Sequence, residues 1–210
     1  MSAPSSMVFI IDDDASVRDA IHTLLSSIGL HSEVFESAEE FLHARRPSVP
    51  SCLVLDIRLP GVNGLDFQDE LEQAGVRIPI IFMTAHGDIP MALRAMKGGA
   101  VEFLTKPFQK QQLMAAIHQA LDSDCVVRER EKELSSLRSR FETLTRRERE
   151  VLNLVVNGLL NKQIAAQLGV SEVTVKAHRS QAMQRMQAGS LAELVRMTEK
   201  LKSLPQRHIY

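Results

Sequence analysis

Short apolar runs alternate with longer amphipathic stretches over residues 7–121. The runs Val8–Ile11, Ser32–Phe35, Cys52–Leu55, Ile80–Met83 and Val101–Leu104 are rich in branched and aromatic side chains, which predicts strands. Helical patterns fall between them. Ala15–Ile28 places Val17, Ile21, Leu24, Leu25 and Ile28 on one face, and Ser37-Ala38-Glu39-Glu40 reads as a capping box opening the next helix. Leu65–Ala74, Pro90–Lys97 and Gln109–Leu121 complete the set. Regular βα alternation predicts a parallel sheet with helices on both faces.

The pattern then changes. Residues 122–141 are highly charged and lack Gly and Pro, with Val127, Leu134 and Phe141 recurring every seven residues. Leu137 and Leu144 fill intervening positions, and Arg130 interrupts that series. This predicts an amphipathic linker helix, either a short coiled coil or a solvated spacer. From residue 142 to 204 the patterning is purely helical. Thr145-Arg146-Arg147-Glu148 is a second capping box, and Asn157-Gly158 ends that helix. Asn161 is placed to cap Lys162–Leu168, Ser171 to cap Glu172–Met186, and Ser190 to open a last helix reaching about Lys202.

Composition bounds the class. The 210 residues allow one large or two small domains, and apolar residues make up 44%, enough for real cores. No apolar run is long enough for a membrane span, and Met1 to Ser6 has no signal-peptide character. Two cysteines, Cys52 and Cys125, form no disulfide framework, so a reducing cytoplasm is expected. The net charge of −1 hides a division: residues 1–121 carry −6 and residues 142–210 carry +5. An acidic front suits a cation, and a basic back suits a polyanion.

The chemistry lies at the ends of the strand runs. Asp12 and Asp13 follow the first, Asp56 the third, Thr84 the fourth, and Lys106 the fifth, just before Pro107. In a parallel sheet these ends share one edge, where ligands bind. Three acids, a hydroxyl and an amine at one place suit Mg²⁺-assisted phosphoryl transfer to a carboxylate. Each residue also has an ordinary structural use, and one of Asp12, Asp13 and Asp14 is expected to cap a helix. Their joint placement is what argues for a site.

With these residues the segment 7–121 resembles the receiver domain of two-component response regulators. The stretches His86-Gly87-Asp88-Ile89-Pro90-Met91 and Lys106-Pro107-Phe108 resemble the FixJ branch. The resemblance implies a flavodoxin-like α/β fold, a five-stranded parallel sheet of order 2-1-3-4-5. It implies Asp56 as phosphoacceptor, and Asp12, Asp13, Asp56 and the backbone carbonyl of Arg58 as Mg²⁺ ligands. It further implies a cis Lys106–Pro107 peptide, Thr84 as the phosphoryl partner and Phe103 as an aromatic switch.

Residues 161–180 fit a helix-turn-helix at Ile164, Ala165, Leu168, Gly169, Val170 and Val175. The segment Leu144 to Leu194 resembles the separate all-α, four-helix output domain of the LuxR/NarL/FixJ class. Its recognition helix would begin at Glu172 and carry Lys176 and Ser180 toward bases. Lys162, Thr174, His178 and Arg179 are candidate phosphate contacts. Leu160 and Gly189 depart from the family pattern, which commonly has polar and basic residues there. The expectation is a cytoplasmic regulator, not an enzyme. It would be phosphorylated by a sensor histidine kinase, dimerise on phosphorylation, bind double-stranded operator DNA and engage RNA polymerase. The rival expectations are an aspartyl-phosphate phosphohydrolase and an RNA-binding antiterminator.

Overall fold

The computed structural model describes residues 5–202. Met1–Pro4 and the end of the expected output domain, residues 203 and 204, lie outside them. The chain forms two compact units that divide between Arg128 and Glu129.

The first unit contains β1 (Met7–Ile11), α1 (Ala15–Ser27), β2 (His31–Phe35), α2 (Ala38–His43) and β3 (Ser51–Asp56). A hairpin follows, β4 (Arg58–Leu59) and β5 (Val62–Asn63), then α3 (Gly64–Gln73), β6 (Ile80–Thr84), α4 (Ile89–Lys97) and β7 (Glu102–Thr105). The parallel sheet has the order β2-β1-β3-β6-β7. This is the expected 2-1-3-4-5 order, because the two-residue strands β4 and β5 pair only with each other.

Strand alternation divides the core between the two faces. Phe9, Ile11, Leu53, Leu55 and Phe82 point to one side, where they pack with Phe41 of α2 and Phe67 and Leu71 of α3. Val8, Ile10, Cys52, Val54, Ile81 and Met83 point to the other, against Ile21 and Leu25 of α1 and Leu113 and Ile117 of α5 (Lys110–Glu142). Strands buried on both faces explain the near-continuous apolar runs.

Helix α5 differs from the sequence reading. One 33-residue helix stands where a helix to Leu121 and a separate linker over 122–141 are expected. Its middle is tied to the sheet of the first unit. Asp124, 4% exposed, accepts a hydrogen bond from the Ser51 N–H at 2.7 Å and pairs with Arg128.

The second unit takes the end of α5 and adds α6 (Arg146–Val156), α7 (Asn161–Leu168), α8 (Glu172–Met186) and α9 (Leu191–Lys202). Leu137 is buried in it, and Phe141 packs against Leu144, Leu152, Ala182, Met186 and Leu194. Phe141 therefore serves the unit's own core. A second cluster joins Val151 and Val155 to Ile164, Ala165 and Val175. The Thr145–Glu148 capping box forms with both hydrogen bonds present.

Candidate functional site

β1, β3, β6 and β7 end together because their registers are nearly flush: Ile11 lies beside Leu55, Asp56 beside Met83, and Thr84 beside Thr105. The polar residues that follow are thereby gathered at one edge. Asp12 and Asp56 are buried and Asp13 is exposed. The three carboxylates offer ligand oxygens lying within 4.8 Å of one another. Lys106 Nζ donates to Asp12 Oδ2 and to Asp56 Oδ2, each at 2.6 Å. The remaining oxygens are also engaged. Asp12 Oδ1 accepts from the Asp14 N–H at 3.0 Å, and Asp56 Oδ1 from the Arg58 N–H at 3.0 Å.

Charge and burial compete here. Burial pushes the Asp12 carboxyl above its ordinary value, and the bonds from Lys106 and the Asp14 N–H oppose this only in part. Burial alone would lower the Lys106 ammonium, but its bonds to Asp12 and Asp56 outweigh that and hold it raised. Hard carboxylate oxygens at this spacing fit a small divalent cation such as Mg²⁺. One face of the acid cluster already has a fixed positive charge.

One residue absent from the sequence reading, Arg18, and one expected helix cap, Asp14, shape the pocket. Arg18 of α1 donates to the backbone carbonyls of Asp12 (2.6 Å) and Asp13 (3.0 Å), bracing the acidic loop from behind. Asp14 caps α1, accepting from the Ser16 N–H at 2.8 Å, and so leaves Asp12 and Asp13 free of capping duty. The peptide Lys106–Pro107 is cis. Arg58 sits in the exposed hairpin immediately after the site, which places its backbone next to Asp56.

Thr84 is fully buried, and its hydroxyl accepts from the His86 N–H at 3.2 Å, leaving its own proton to donate. Phe103 is half-buried in β7. Gly87 lies over both. A Cβ there would stand 2.8 Å from the Phe103 ring, 2.9 Å from the Thr105 methyl and 3.0 Å from the Thr84 methyl. The loop can pass this close to Thr84 and Phe103 only because position 87 has no side chain.

In the second unit the helix-turn-helix forms over α7 and α8. Ile164, Ala165 and Val175 are buried, and Gly169 takes the left-handed conformation at the turn with φ of 66°. Lys162, Lys176 and Ser180 are exposed, while Thr174, His178 and Arg179 are half-buried. The six candidates therefore do not share one face. His178 turns its Nδ1 into the protein, where it has no hydrogen-bond partner. Arg179 reaches back to Asn161 Oδ1 at 3.4 Å, and Thr174 pairs with Ser171 at 2.8 Å. The expected Asn161 cap is not made. Leu160 takes the cap position, and the Gln163 side chain accepts from its N–H at 2.8 Å.

A clustered-acid pocket on a receiver-like sheet, followed by a helix-turn-helix unit, defines the class of phosphorylation-controlled DNA-binding response regulators. Residues 8–118 match the response regulator receiver domain, and residues 142–198 match the luxR family of bacterial regulatory proteins. Nodulation protein W of Bradyrhizobium diazoefficiens is 50% identical over 200 residues, 95% of this chain and 88% of that protein. The solved structure of the response regulator StyR is 49% identical, covers 93% of this chain and 99% of that one, and superposes with a TM-score of 0.86. Full-length FixJ from B. japonicum is 35% identical over 97% of this chain and 100% of that one, with a TM-score of 0.56. The chain belongs to the response regulators that join a receiver domain to a LuxR-type DNA-binding domain, among the FixJ-like and NodW-like transcriptional regulators.

Proposed function

We propose that Asp56 accepts a phosphoryl group from a sensor histidine kinase and that this controls binding of the LuxR-type domain to operator DNA. The observation that carries the reading is the Asp12–Asp13–Asp56 cluster with Lys106 bonded to two of its members. Asp56 forms a new P–O bond as the donor's P–N bond breaks. Asp12, Asp13, Asp56 and the Arg58 carbonyl would hold Mg²⁺, which supplies charge neutralisation for the phosphoryl oxygens when bound. Lys106 offers a second cation to the same oxygens. The Thr84 hydroxyl donates to the phosphoryl group once it is present. Movement of Thr84 toward the phosphoryl group opens space behind it and lets the Phe103 ring turn inward.

An apolar groove of about 460 Å³ opens beside the pocket, between Val17, Ala20 and Leu24 of α1 and Pro107 and Phe108 next to Lys106. It supports docking of a partner helix within reach of Asp56. Ile89, Leu93 and Met96 form an exposed apolar row on α4, near Phe103 in the fold, and support a receiver dimer formed on phosphorylation. Such a dimer would present two recognition helices to a two-fold operator and would engage RNA polymerase from there. No helix among the described residues is long and apolar enough to cross a membrane. A regulator that works on operator DNA belongs in the cytoplasm, and its role is regulatory rather than enzymatic. Neither the phosphohydrolase nor the RNA-binding reading gains a specific observation of its own.

The test is incubation with acetyl phosphate and Mg²⁺. One hydroxylamine-labile phosphoryl group is expected on the wild type and none on Asp56→Asn. Full labelling of the Asp56→Asn chain would overturn the assignment.

A further inference from the structure

Helix α8 carries a large apolar side chain where folding gives no reason for one. Val173 is 76% exposed, in the first turn of the helix. At about 100° per residue, Val173 stands roughly 160° round the helix from Val175. Ser180 and Ala177 fall at about 140° and 200° on the same count. All three therefore point directly away from buried Val175, Ala182 and Met186. Lys176 flanks them and is exposed. A β-branched residue on a solvated helix face is a poorer helix former than the polar residues usual there, and this one adds nothing to the core.

The exposed face thus holds an apolar patch, Val173 with the small Ala177 one turn on, bordered by Lys176 and Ser180. On the reading that α8 enters duplex DNA, its first turns face the base edges. The one apolar group that bases display in the major groove is the thymine 5-methyl. We propose that Val173, seated beside Ala177, is a specificity-determining residue that reads a thymine 5-methyl group in each operator half-site. Lys176 and Ser180, on the adjoining side of the same face, then supply polar contacts next to that thymine. Removing the base methyl exposes the Val173 side chain without disturbing any hydrogen bond, so the contact is separable from the rest of the interface.

The test uses the full chain loaded with beryllofluoride and duplexes it enriches from a randomised library. In the tightest duplex each thymine is replaced in turn by deoxyuridine, which lacks only the methyl, and affinity is read by fluorescence anisotropy. One thymine per half-site is expected to lose about fourfold in affinity when replaced, the worth of one buried methyl. Val173→Ala should bind the thymine and deoxyuridine duplexes about equally, with an unchanged circular dichroism spectrum. The proposal is overturned if no deoxyuridine weakens the wild type, or if the loss persists undiminished in Val173→Ala. If no duplex is enriched at all, the DNA-binding reading itself fails, and that outcome is distinct from enrichment without methyl sensitivity.

Discussion

Asp124 is the strongest test of how this receiver is built. Replacing it with Ala would leave the Ser51 N–H without an acceptor, and Ser51 is itself 1% exposed. An orphaned buried donor costs about 1–3 kcal/mol. The lost pair with Arg128 adds less, because the Arg128 side chain is 33% exposed and an exposed pair is worth about 0–1 kcal/mol. Removing the carboxylate also removes its own burial cost, so the net loss should be about 2 kcal/mol. On a domain of this size that lowers Tm by roughly 6–12 °C. Asp124→Asn keeps an acceptor for Ser51 and should lose about half as much. The assay is urea unfolding of a chain ending at Arg128, followed by circular dichroism, with the midpoint read at constant slope. A chain ending at Leu121 lacks both Asp124 and Arg128 and should be at least as weak as Asp124→Ala. An Ala variant within about 0.5 kcal/mol of wild type, or no weaker than the Asn variant, would refute the anchor.

Burial, reinforced by the nearby Asp124 charge, pushes the Cys52 thiol up to about 12. Native protein should therefore leave Cys52 unalkylated by iodoacetamide between about pH 7 and 9, except through global unfolding, and lose that protection in guanidinium; native labelling faster than global unfolding would count against it. Glu148, 1% exposed, closes the capping box of α6, so Glu148→Ala should cost the second unit about 1–2 kcal/mol in thermal unfolding. Glu148→Gln should recover most of that, and equal damage by Gln and Ala would dismiss the cap as the cause. Gly87→Ala should destabilise the receiver by about 1–3 kcal/mol, because its Cβ would meet the Phe103 ring at 2.8 Å. Adding Phe103→Ala should restore part of that loss, and strict additivity of the two changes would show that the ring is not what Gly87 makes room for.

The acid pocket was legible because topology does the gathering. Once βα alternation marks a parallel sheet, the residue after each strand is sent to a known edge, whatever the loop lengths. Asp12, Asp56, Thr84 and Lys106 follow from that rule alone, and the Lys106 bonds to Asp12 and Asp56 are its consequence. The helix-turn-helix was legible for a similar reason. Its tight turn demands small or left-handed residues, and Gly169 adopts φ of 66° there. The facing of α8 was less so. Nothing local showed that His178 would bury its Nδ1 or that Arg179 would reach back to Asn161.

What stayed hidden depends on partners far apart in the chain. Ser51 and Asp124 lie 73 residues apart, and nothing local marks a charged helical residue as the acceptor for a strand's first N–H. Without that bond, residues 122–141 look like a solvated linker. With it, the first part of the same stretch is tied to the sheet, and Phe141 near its end packs into the helical core. Of the seven-residue repeat, Phe141 packs into the second unit's core while Val127 stays 43% exposed. Arg18 was hidden in the same way, since its acceptors are backbone carbonyls and a sequence displays only side chains. Leu160 shows the converse. A cap preference pointed to Asn161, but the cap is a backbone geometry, and Gln163 meets the Leu160 N–H instead. The residues whose chemistry exceeds any packing need stand out in the sequence, whereas those that position them emerge only from contacts made by the folded chain.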